Sequence, residues 1–188
     1  MKYFGLARIL YLMIICQKRF RFNGRQGFYF REELKKIMTN DDVISTLNNL
    51  IETCKDGQDG FKESAGNVER SDLKSTFYEF SQQRSQFVGE LQSLVRELGG
   101  DPENTGSVSG SLHRGWINIK SAITGQDESS ILNEAERGED AAKKAYKDAL
   151  EQTLPANVNA VVQRQAEAVN TAHDKVRNLR DAANAATN

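Results

Sequence analysis

The sequence predicts an all-α fold: a four-helix bundle with a short extra helix in the long connection between helices two and three. Three observations predict it. Only two prolines occur in 188 residues, Pro102 and Pro155, and both fall where a helix should break or begin. After Met38 no sustained alternation of β-branched and aromatic residues marks a strand. Instead, four stretches repeat apolar residues in steps of three and four, the mark of one buried stripe per helix.

The first helix is expected over about residues 41–67, opened by Thr39-Asn40-Asp41-Asp42. Its stripe is Val43, Leu47, Leu50, Cys54, Gly57, Phe61 and Val68. The second follows a Ser71 cap and runs to about Leu98, with Leu73, Phe77, Phe80, Arg84, Phe87, Leu91, Leu94 and Leu98 in its stripe. Gly99-Gly100-Asp101-Pro102 ends it. A Gly/Ser-rich connection then leads to an amphipathic piece, Leu112 to Ile123, that contains Trp116. The third long helix is expected from about Glu128 to Thr153, with Leu132, Ala135, Glu139, Ala142, Tyr146, Ala149 and Thr153 on one stripe. Pro155 opens the fourth, which runs to about Ala183 with Val158, Val162, Gln165, Val169, Ala172, Val176 and Leu179 inward.

Such stripes are buried best against each other. Tight turns make helices one and two, and three and four, antiparallel neighbours. The long middle connection, if it runs the length of the bundle, makes helices two and three parallel, as in ferritin-type topology.

Composition narrows the function classes. The length suits one domain with an appendage, and it buries a core without staples. Cys16 and Cys54 are too few for a disulfide scaffold or a Cys-type zinc finger, and His113 and His173 too few for a His-rich metal site. The net charge of -1 gives no signal for nucleic acid. No apolar run approaches the ~20 residues of a membrane-spanning helix.

The chain joins two compositions at Met38. Residues 1–37 hold nine Lys/Arg and two acids, a local charge of +7, so residues 38–188 carry -8. Eight of the fifteen aromatics precede Met38. The apolar run from Ile9 to Cys16 lacks the flanks and cleavage site of a signal peptide, because its basic cluster follows it. Because a helix start stands directly after Met38, the expectation is that Met38 initiates the native chain and that 1–37 is an over-extended start. The alternative is a peripheral anchor with its basic part on a membrane surface. Membrane contact is expected only if 1–37 is native, and the body is expected in the cytoplasm.

Polar residues inside the stripes carry the functional argument. Arg84, Glu139 and Gln165 occupy inward positions on helices two, three and four. An unpaired buried charge is very costly, so Arg84 and Glu139 are expected to pair bidentately at mid-bundle, with Gln163 or Gln165 nearby. The competing reading is a di-metal site, which in such bundles takes a Glu from each of two helices and Glu-x-x-His from the others. Here the ingredients are degraded. Glu52, Glu136, Glu139 and His173 are the weak candidates, and no Glu-x-x-His occurs after Met38. Arg84 would also put a positive charge where a metal would sit. His173 is expected at a helix surface or boundary, and Cys54 as a buried small apolar residue.

A set of strings resembles a known family. They are Gly99-Gly100, Gly106-Ser107, Leu112-His113-Arg114-Gly115-Trp116, the run Ile131-Leu132-x-Glu134-x-Glu136-Arg137-Gly138-Glu139-Asp140, then Tyr146 and Leu154-Pro155. They are similar to a bacterial family described as a ferritin-like four-helix-bundle domain of unknown function. The resemblance covers about residues 40–180. It implies the bundle and a ferritin-like ancestry and supplies no activity.

His113, Arg114 and Trp116 are a candidate partner surface. The leading expectation is a non-enzymatic bundle protein with no cofactor, a homo-oligomer that does not bind nucleic acid. The rival is a ferritin-like protein that binds or oxidises iron.

Overall fold

The computed structural model describes residues 39–102 and 128–187. The 1–37 extension, the Leu112–Ile123 helix and the surface of His113, Arg114 and Trp116 all lie outside the described residues. Four α-helices account for nearly all that is described: α1 (Asn40–Asn67), α2 (Ser71–Glu97), α3 (Glu128–Leu150) and α4 (Ala156–Thr187). They belong to one compact unit, Met38–Asn188. None of the described helices is long and apolar enough to cross a membrane.

The expected start of α1 is a capping box. Thr39 Oγ1 accepts from the Asp42 N–H at 3.2 Å, and Asp42 Oδ2 accepts from the Thr39 N–H at 3.0 Å. Two free donors of the first turn are thereby satisfied. The start of α2 differs from expectation. Ser71 is the first helical residue rather than the cap; Arg70 takes the cap position and makes no side-chain cap bond. Its guanidinium instead spans Asp72 at 2.6 Å and Glu128 at 2.9 Å.

At the far end of α2, the Gly100 N–H reaches Val95 O at 2.9 Å and the Gly99 N–H reaches Arg96 O at 3.0 Å. This closure needs a left-handed residue, and Gly99 supplies it with φ 83°. Helix α3 ends at Leu150, short of the expected Thr153. The Glu151 N–H still reaches Lys147 O at 3.1 Å, and the Gln152 N–H then takes Ala149 O at 3.2 Å, a tightened last turn that closes the helix before Pro155. Helix α4 then continues past the expected Ala183 to Thr187. Its C-terminal stretch is tied to α3 where Ser129 Oγ donates to Asn184 Oδ1 at 2.5 Å.

Helix directions follow from contacts at the two ends. Arg70 and Glu128 bring together the first residues of α2 and α3, so these helices run parallel. Thr46 Oγ1 donates to Gln152 Oε1 at 2.9 Å, and Asn48 Nδ2 donates to Asp101 O at 3.2 Å. The start of α1 therefore meets the ends of α2 and α3. Helix α4 runs back beside α3. The order is the ferritin-type one, with Asp101 and Glu128 at opposite ends of the bundle.

Two apolar clusters fill the interior. One holds Val43, Leu47, Phe87, Leu91, Val158 and Val162 near the start of α1. The other holds Phe61, Leu73, Phe77, Phe80, Leu132 and Val176 near its end. Phe61 anchors the second, 5.9 Å from the Phe77 ring centroid and 5.2 Å from that of Phe80. Such offset and tilted pairs add to the area they bury. Between the clusters lies a polar layer.

Candidate functional site

The polar layer is centred on Arg84 and Glu139, each with its side chain 1% exposed. Arg84 Nη2 donates to Glu139 Oε2 at 2.6 Å. The pair is the expected one, but its geometry is not the expected bidentate fork. Arg84 Nη1 donates instead to Gln83 Oε1 at 2.6 Å, and Arg84 Nε and Glu139 Oε1 have no hydrogen-bond partner. The guanidinium lies between two rings, 5.8 Å from the Phe61 centroid and 5.6 Å from that of Phe87. Aromatic faces favour a cation there.

Gly57 makes room for this arrangement. A Cβ at Gly57 would stand 3.4 Å from Arg84 Cγ, so the arginine stem lies directly against α1. Burial pushes the Glu139 carboxyl above its ordinary range, and the neighbouring Arg84 opposes that push. Burial acts against the Arg84 charge too, but Glu139 beside it outweighs burial and keeps the guanidinium charged.

Gln165 is fully buried, as its stripe position predicts, and its hydrogen bonds go elsewhere than to this pair. It belongs to a separate chain of hydrogen bonds. The Tyr146 hydroxyl donates to Gln165 Oε1 at 2.7 Å, and Gln165 Nε2 donates to Glu90 Oε2 at 2.6 Å. Arg164 closes on the same Glu90 oxygen at 2.7 Å. The Tyr146 proton is committed to Gln165, so the Cys54 thiol, 3.1 Å away, is the donor to Tyr146. Burial pushes that thiol up to about 11 and outweighs the Tyr146 hydrogen bond. Burial likewise holds the Tyr146 phenol well above its usual range. The chain runs from the interior of α1 through α3 and α4 to the surface at Glu90.

His173, expected at a helix surface or boundary, is buried at 4% exposure and lies against the exposed carboxylates of Asp140 and Asp174. Its Nε2 lies 3.0 Å from Asp140 Oδ1, its Nδ1 lies 3.1 Å from Asp174 Oδ1, and Lys143 Nζ lies 3.3 Å from Nδ1. Asp174 is held below its usual range by the His173 hydrogen bond. Asp140 and Lys143 reach across from α3, and this is what covers the ring.

The remaining candidate ligands go separate ways. Glu52 pairs with Lys55 at 3.3 Å, and Glu136 pairs with Arg180. Glu134 takes Arg137. A resident di-metal centre needs carboxylates and imidazoles that converge on one point. Among the described residues, no group of three or more His, Cys, Asp and Glu side chains is arranged to hold a metal ion. Glu52, Glu136, Glu139 and His173 each face a different partner, and Arg84 holds the centre. These residues do not fit a di-metal group.

Gln83 and Tyr146 are the partners that sequence reasoning missed. Gln83 is adjacent in sequence to a buried charge, which is a usable signal. Tyr146 lay on the predicted stripe, but a stripe position does not reveal where a hydroxyl points.

The bundle is similar to a solved two-domain protein from Anabaena variabilis that contains DJ-1/ThiJ/PfpI-like and ferritin-like domains. The TM-score is 0.64 at 14% identity, over 77% of this chain and 40% of that one. This chain therefore spans less than half the length of that protein, and the likeness is one of fold. No curated protein matches the chain. The family model described as Domain of unknown function (DUF2383) matches residues 42–152, more than half of the sequence, and the chain belongs to that family.

Proposed function

We propose that this chain is a non-enzymatic helical-bundle protein that acts by association, with a second copy of itself or with another protein, in the cytoplasm. The observation that carries the reading is the Arg84–Glu139 pair at mid-bundle. In this topology chemistry would be built between the helix centres. Here that position holds a guanidinium between two phenyl rings, a group suited to fixing how the helices register. Tyr78 supports the association half of the reading. It is a large hydrophobic side chain on α2, 44% exposed, and aromatic residues are favoured as interface anchors.

The rival reading is ferritin-like iron binding. The fold likeness and the partnerless Glu139 Oε1 favour it. Ferrous-iron titration of the full chain, with light scattering of the same sample, separates the two. The proposal expects no saturable iron binding and a mass above the monomer that falls in Tyr78→Arg. Stoichiometric iron binding, or a monomer that captures no partner, would overturn it.

A further inference from the structure

A groove of about 720 Å³ lies between the C-terminal half of α3 and the facing part of α4, apart from the central pair. Sites for small ligands occupy roughly 300–1,000 Å³. The floor of this one is Tyr146, Leu150 and Ala166. Its rim carries Lys143, Lys144, Lys147 and Asn170, with Glu151 the acid beside them. Among the lining residues, Ala166 is the small side chain that leaves room beside Tyr146 and Leu150.

Charge at the rim is inverted relative to the rest. Residues 38–188 carry -8, yet this groove gathers three lysines around an apolar trough. Lys143 Nζ lies 3.3 Å from His173 Nδ1, and the other two lysines hold weak ion pairs. Lys144 meets Asp148 at 2.5 Å and Lys147 meets Glu151 at 3.9 Å, and both lysines are 75% exposed. Exposed pairs of this kind hold a side chain loosely and yield it to a better partner. The dipole of α3 favours cations near its C-terminus, but it gives no reason for an apolar trough beside them.

We propose that this groove binds a single-chain anionic amphiphile, a carboxylate head on an apolar chain. The chain lies along Tyr146, Leu150 and Ala166. The head sits among the Lys143 and Lys147 ammonium groups, and the Asn170 amide donates to it.

Isothermal titration of the full-length protein with dodecanoate below its micelle concentration tests this. Acetate is the head without the chain, and decyl glucoside is a chain with an uncharged head. Dodecanoate should saturate at one per chain and bind at least about tenfold more tightly than either control. Lys143→Gln with Lys147→Gln should weaken it about tenfold. Ala166→Phe, which fills the floor, should abolish it while circular dichroism stays helical. If Ala166→Phe fails to fold, the lysine variant decides alone. The absence of saturable dodecanoate binding, equal binding of the uncharged amphiphile, or unchanged affinity in the lysine variant would each overturn the proposal.

Discussion

Arg84 Nη2 stands 2.6 Å from Glu139 Oε2, and the two side chains join parallel helices across the middle of the bundle. Neither charge has water to fall back on. Removing the cation therefore leaves Glu139 with the full effect of burial, which already holds its carboxyl above the ordinary 4.5. In Arg84→Leu the folded value rises further, so the folded state prefers the protonated acid. Stability of this variant should be greatest below 4.5 and should fall as the pH climbs through the raised folded value. Urea denaturation of the variant at pH 5 and pH 8 checks this. A variant no more stable at the lower pH would contradict it.

Gly57 faces the Arg84 stem, with space for little more than a methyl group. Gly57→Leu should displace the arginine and cost about 1–3 kcal/mol, the usual range for overpacking. Thermal denaturation beside wild type measures it. Wild-type stability in Gly57→Leu would mean that Arg84 does not need this contact.

The Cys54 thiol is pushed up to about 11, so it stays protonated at ordinary pH. It is also fully buried. Iodoacetamide at pH 8 should leave the Cys54 peptide unlabelled in the folded protein and label it in urea, as read by mass spectrometry. Rapid labelling of the folded chain would place the thiol at the surface.

The capping box of α1 gives a second pH signature. Hydrogen bonds from Thr39 hold Asp42 below its ordinary 3.8. Its contribution is present above that value and is lost as the pH falls through the lower folded one. Thr39→Ala should cost about 1 kcal/mol at pH 7. The gap between variant and wild type should narrow toward acid.

Much of this was legible in the chain itself. The stripes through Val43, Phe77, Leu132 and Val162 placed each helix, because an amphipathic period survives any choice of neighbours. The pairing of Arg84 with Glu139 was legible too, because a buried charge must find its opposite. The single-bonded geometry was not, since it depends on Gln83 and on two phenyl rings that approach from α1 and α2. The hydrogen-bond partners of Gln165 were not legible, because stripe position fixes which way a residue faces and not its depth along a neighbouring helix. The depth of His173 at its boundary was not legible, because its contacts with Asp140 and Lys143 come from another helix.

The most direct test of the central claim is a double-mutant cycle on Arg84→Leu and Glu139→Leu, read by urea denaturation at pH 7. A buried pair should lose about 3–5 kcal/mol when either partner goes alone. The double variant should recover most of that loss, because no uncompensated charge remains in the core. Additive losses, or single variants as stable as wild type, would mean that the two side chains are not a buried pair and that the bundle centre is held another way.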